Sequence, residues 1–88
     1  MTWTIEYSRD SDRFIQAEGI RAEVKNQIQG FLRKLRGESI NVDAKKLKGE
    51  WKGYFRIRKG SLRIIFSVDT SHRSLYVERV DFRGDAYK

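Results

Sequence analysis

The stretch Tyr54-Phe55-Arg56-Ile57-Arg58-Lys59-Gly60-Ser61-Leu62-Arg63-Ile64-Ile65-Phe66-Ser67-Val68 decides the fold. In its first half, Phe55 and Ile57 alternate with Tyr54, Arg56 and Arg58. In its second half, Leu62, Ile64, Phe66 and Val68 share one face and Arg63 lies on the other. A period of two in β-branched and aromatic residues marks two half-buried strands. The glycine between them marks a hairpin turn. With Lys59-Gly60 as a two-residue loop, Ile57 pairs with Leu62 and Phe55 with Ile64, so both apolar faces match. A slip of one residue would break that match. The same register sets Arg56 across from Arg63, with Arg58 beside them on the face away from the core. Like charges opposed on a sheet destabilise it unless an anion lies between them or solvent screens them. The hairpin therefore reads either as an anion-binding face or, more plainly, as two guanidiniums splayed into water.

The elements on either side complete an α+β pattern. Residues 37–53 form a polar connection that carries Lys45, Lys46, Lys48 and Lys52. Before it, Ile20, Val24, Ile28, Phe31, Leu32 and Leu35 make an apolar stripe at helical spacing, which predicts a core helix packed on the sheet. A shorter helix through Phe14 and Ile15, broken at Gly19, is expected ahead of it, with N-cap candidates in residues 8–12. Trp3, Ile5 and Tyr7 alternate with Thr4, Glu6 and Ser8, the pattern of a first strand. After the polar turn 69–73, Ser74–Val80 reads as a last strand, and residues 81–88 as a tail or one helical turn. The expected order is β-α-α-β-β-β over a single domain, residues 1–88. Its sheet is mainly antiparallel, with helices packed on one face and a basic opposite face.

Charge divides unevenly along the chain. Residues 1–44 carry seven Lys or Arg against seven Asp or Glu, and residues 45–88 carry twelve against five. The second half thus holds the whole net charge of +7. Concentration of this kind is the electrostatic footprint of a surface that binds phosphate. The alternatives are an acidic protein partner or a solvated basic face. The chain contains no cysteine, which removes disulfides and thiolate chemistry and fits a reducing compartment. Residues 1–7 lack the basic and apolar regions of a signal peptide, and no apolar run is long enough to span a membrane. The expected localisation is cytoplasmic. One histidine, no cysteine and scattered carboxylates leave no metal-ligand spacing, so no cofactor or metal is expected.

Lys45-Lys46-Leu47-Lys48-Gly49 leads into Trp51-Lys52-Gly53-Tyr54-Phe55-Arg56-Ile57-Arg58. Then come Leu62-Arg63-Ile64-Ile65-Phe66 and the ending Val80-Asp81-Phe82-Arg83-Gly84-Asp85-Ala86-Tyr87. Taken in order over nearly the whole chain, these segments resemble the RelE/ParE superfamily of bacterial toxins, and its RelE branch in particular. The resemblance implies the toxin of a type II toxin–antitoxin pair. Such a toxin is a metal-independent endonuclease that cuts mRNA in the ribosomal A site and is restrained by a cognate antitoxin. It implies catalytic roles for Arg56 and Arg58 on the second strand, Arg63 on the third, Arg83 after the fourth, and Tyr87 near the C-terminus. Fixed guanidiniums suit that chemistry, because attack by the RNA 2′-hydroxyl builds a dianionic phosphorane. A tyrosine can stack on a splayed base. RelE itself has lysines where this chain has Arg56 and Arg58, and arginine does not deprotonate. Lys52 and Tyr87 are then the candidate proton acceptors.

Lys45, Lys46, Lys48 and Lys52 read as contacts to phosphate or ribosomal RNA, or as solvated charges. Tyr54 shares the arginine face, either as packing or as an RNA contact. Trp3 and Trp51 read as core or core-edge packing, and His72 as an exposed loop residue. Asp81 and Asp85 read as local partners of Arg83. Two other functions stay open: a ParE-like, non-enzymatic inhibitor of DNA gyrase, and an attenuated RNA-binding relative.

Overall fold

In the computed structural model, which describes residues 2–82, the elements run β1 (Thr4–Tyr7), α1 (Arg9–Glu18), α2 (Arg21–Leu35), β2 (Asp43–Lys46), β3 (Tyr54–Lys59), β4 (Leu62–Asp69) and β5 (Ser74–Phe82). One turn of 3₁₀-helix, Gly49–Trp51, lies between β2 and β3. The five strands form one sheet in the order β1-β5-β4-β3-β2. β1 runs parallel to β5, and every other neighbouring pair is antiparallel.

Both helices cover one face of this sheet. Val24, Ile28, Phe31 and Leu32 of α2 and Ile15 of α1 meet Ile57, Leu62, Ile64, Phe66, Leu75, Val77 and Val80 in the core. At its centre Phe31 stands edge-on to Phe66, with ring centroids 4.9 Å apart, and 5.3 Å from Phe55. Phe55 and Phe66 are cross-strand partners stacked at 5.8 Å. Full burial of a side chain such as Phe66 stabilises the fold by about 2 kcal/mol. Leu35, the last residue of the expected stripe, is half exposed, because α2 ends there and the chain turns away.

The hairpin register differs from the sequence expectation by two residues. Lys59 pairs with Leu62, Arg58 with Arg63, Ile57 with Ile64, Arg56 with Ile65 and Phe55 with Phe66. The loop is therefore Gly60-Ser61, not Lys59-Gly60. Gly60 takes φ +59° at the first central position, where a tight hairpin turn needs positive φ. A Lys59-Gly60 loop would ask lysine to adopt it. A shift of two keeps both faces intact but moves the arginine pair: Arg63 opposes Arg58, and Arg56 opposes Ile65.

A fifth strand, β2, lies within the stretch read as an irregular connection. Only Ala44 of Asp43-Ala-Lys-Lys46 is partly buried, so no apolar alternation announces it. Its lysines suit an edge strand, which must discourage further pairing. Ile40 and Val42 lead into it over α2, where a Cβ on Gly30 would lie 2.8 Å from Val42 Cγ2. β5 also continues to Phe82, past the expected end, and Phe82 packs edge-on to Phe14 at 5.4 Å. The pairing of β4 with β5 shifts between Ile65 and Phe66, leaving Glu78 as the extra residue of a bulge. Ser8, the N-cap of α1, donates from Oγ to the Glu78 carbonyl at 2.9 Å, so the bulge is tied to the helix start.

Two predictions follow from this packing. Gly30→Ala should lower stability by about 1 kcal/mol, although glycine-to-alanine in an unobstructed helix gains a similar amount; urea denaturation gives the sign. The second concerns the turn before β5. The Asp69 carboxyl is drawn down to about 2 by hydrogen bonds from Ser71 and then His72. Since its pKa is depressed on folding, the turn's contribution is present above the usual carboxylate range and is lost as pH falls through about 2. An NMR titration should place the Asp69 midpoint there, and Ser71→Ala should raise it.

Candidate nucleic-acid interface

On the sheet face away from the helices, four strands each contribute one residue to a row: Asp43, Arg58, Arg63 and Asp81. The next row holds Lys45, Arg56, Ile65 and Arg79. Beyond it lie Tyr54, Ser67 and Tyr76. Alternation along the strands produces this sorting, since the neighbours of each row (Ala44, Ile57, Ile64, Val80) face the core.

Carboxylates answer the like-charge problem. Asp81 grips Arg63 with both oxygens, from Nε to Oδ1 and from Nη2 to Oδ2, each at 3.1 Å. The Arg63 and Asp81 side chains are 13% and 19% exposed, so little solvent screens this fork. Arg79 Nε lies 3.2 Å from the same Asp81 Oδ2. At the other end, Asp43 Oδ1 stands 3.7 Å from Arg56 Nη2, and its side chain is 61% exposed. Arg56 itself is 8% exposed. Between these two pairs, the Arg58 Nε is buried without a hydrogen-bond partner among the described residues. Beside Arg56 and Arg79, Ile65 is 5% exposed yet stands apart from the main core cluster. It gives the guanidiniums an apolar floor, which strengthens their attraction for an anion.

The structure brings Arg56, Arg58, Arg63 and Lys45 onto one face and places Tyr54 one row away. Asp43, Lys45, Leu47, Arg56 and Arg58 line an open groove of about 440 Å³. Lys46 pairs with Phe55 and so projects to the other side of β2. With Lys48 and Lys52 it rims a second groove of about 470 Å³, whose floor includes Leu47, Tyr54 and Phe55. The four lysines are thus divided between two surfaces. Trp51 is half-buried outside the core cluster and meets Tyr54 edge-on at 5.2 Å, packing at the core's edge. Arg83, Asp85 and Tyr87 lie outside the described residues.

The carboxylates were the residues that sequence reasoning missed. Asp43 gave no signal without β2. Asp81 reads from the sequence as a partner of Arg83, which lies outside the described residues, and the strand continuing to Phe82 sets it against Arg63. Among the described residues no group of three His, Cys, Asp or Glu is arranged to hold a metal ion. His72 is exposed and bonded to Asp69 in the turn, away from the arginines. No helix among the described residues is long and apolar enough to cross a membrane.

Comparison with known proteins gives this arrangement a context. No family model matches the chain. Toxin RelG of Mycobacterium tuberculosis is 36% identical over 44 residues, and that stretch spans about half of each protein. The toxin–antitoxin complex RelBE2 of M. tuberculosis contains a chain that is 26% identical, with a TM-score of 0.69 over 94% of this chain and 100% of that one. The chain has a RelE-like fold. A RelB–RelE antitoxin–toxin complex of Methanococcus jannaschii shares the fold at 24% identity and a TM-score of 0.65, over 93% of this chain and 94% of that one. Two helices on a five-stranded, mostly antiparallel sheet are the shared α+β architecture.

The RelE-like fold here depends on Asp81 as a counter-ion. Asp81→Ala should cost about 2 kcal/mol, because it leaves Arg63 largely buried without this partner. Chemical denaturation with an unchanged m-value would check it.

Proposed function

We propose that this chain is the toxin of a type II toxin–antitoxin pair, a metal-independent endonuclease that cuts mRNA in the ribosomal A site and so stops translation. The observation that carries the reading is the Arg58–Arg63 rung, two guanidiniums opposed on adjacent strands. Asp81 completes the rung at Arg63, whereas Arg58 keeps a buried Nε with no hydrogen-bond partner among the described residues, and an RNA phosphate is an anion that fits a guanidinium fork. Arg58 and Arg63 would take the charge that builds on the phosphorane. Arg56 and Lys45, one row away, would hold a neighbouring phosphate of the backbone. Arg83 and Tyr87 would join from the C-terminal segment. The RelBE2 and RelB–RelE relatives are complexes with antitoxins, and this chain is expected to bind a cognate antitoxin of its own.

The bidentate Asp81 grip on Arg63 favours one second reading, an attenuated RNA-binding relative in which the arginine is already neutralised. One assay separates the two. A short mRNA is set in the A site of purified ribosomes and incubated with wild type, Arg58→Ala and Arg63→Ala. Codon-localised cuts by wild type, falling by ~10²-fold or more in each variant, are the expected result. Folded wild-type protein that binds the ribosome without cutting would leave the RNA-binding reading.

A further inference from the structure

We infer that Asp43 is the general base of this site, an assignment that rests on the endonuclease reading above. Attack by a 2′-hydroxyl needs a group to take its proton, and no guanidinium can do so. Amines and phenols keep their protons at neutral pH as a chemical class, whereas carboxylates have given theirs up. That directs attention to the carboxylates of the arginine row, Asp81 and Asp43. Asp81 is spent: both its oxygens engage Arg63, and Arg79 lies on one of them. Asp43 is open. Its side chain is 61% exposed, and its contact with Arg56 Nη2 at 3.7 Å is too long to occupy a lone pair.

Position agrees with chemistry. Asp43 is the cross-strand neighbour of Arg58, whose buried Nε awaits an acceptor among the described residues. Both line the groove of about 440 Å³ along β2 and β3. A phosphate seated on Arg58 and Arg63 can lay its ribose along that groove, toward Asp43. Arg56, fixed by burial, stands 3.7 Å from the carboxylate and leaves it exposed at the edge of the row.

The step balances without a redox partner. Asp43 accepts the 2′-hydroxyl proton, and the freed electron pair on the 2′-oxygen forms the bond to phosphorus. The phosphorus–5′-oxygen bond breaks, the 5′-oxygen leaves with the electrons of that bond, and water supplies its proton. The upstream fragment ends in a 2′,3′-cyclic phosphate and the downstream fragment begins with a 5′-hydroxyl.

The test is single-turnover cleavage on ribosomes saturated with wild type, Asp43→Asn, Asp43→Ala or Asp43→Glu, with and without added formate. Ribosome affinity is measured alongside by sedimentation. The expected result is a loss of ~10²–10⁴-fold for Asn and Ala, affinity unchanged, partial activity in Glu, and formate restoring part of the Ala rate. An Asn variant that cuts as fast as wild type, or faster, overturns the assignment and makes Asp43 a counter-ion only. A loss that formate does not repair also overturns it, leaving Asp43 as a positioning partner of Arg56. Wild type that never cuts sinks the endonuclease reading itself, a result distinct from either.

Discussion

Because the turn between β3 and β4 holds only Gly60 and Ser61, the two strands pair in one register, and that register sorts every side chain of the hairpin. Phe55, Ile57, Ile64 and Phe66 go to the helices, where the three-phenylalanine contact with Phe31 anchors α2. Tyr54, Arg56, Arg58, Arg63 and Ile65 go to the opposite face. A shift of one residue would expose the aromatics and bury the arginines. Core and site are therefore two results of one constraint, and neither can be altered at the hairpin without the other.

That constraint creates an electrostatic debt at Arg58 and Arg63, and the flanking strands settle it. Asp81 arrives on β5 and Asp43 on β2, each one strand outward from an arginine. The two ends are unequal. The Asp81 end is shielded and bidentate, where an ion pair is strong but breaking it is costly. The Asp43 end is open to water and long, where an ion pair contributes little. The row thus has a rigid side and a yielding side, and the yielding side is toward β2.

Much of the fold was legible because its signals are local. Period-two alternation placed β1, β3 and β4, and the stripe from Ile20 to Leu35 placed α2. The strand Asp43–Lys46 was not legible, since an edge strand rich in lysine has no apolar face to display. The register was misjudged by two for a related reason: apolar matching is satisfied equally by both pairings, and only backbone φ at Gly60 chooses between them. The site suffered most from these two gaps. Arg56, Arg58 and Arg63 could be read from the hairpin itself. Their carboxylate partners depend on strands whose position no short-range pattern reveals.

Arginine in place of lysine at positions 56 and 58 gains meaning in this setting. A guanidinium keeps its charge under burial, whereas an amine on the same apolar floor would tend to shed it. Arg56, at 8% exposure beside Ile65, occupies a place where charge must survive desolvation. The same permanence removes both residues from proton transfer. In the proposed endonuclease, a site that commits its buried positions to fixed positive charge must find its proton acceptor at the exposed margin. On this sheet, the margin is β2.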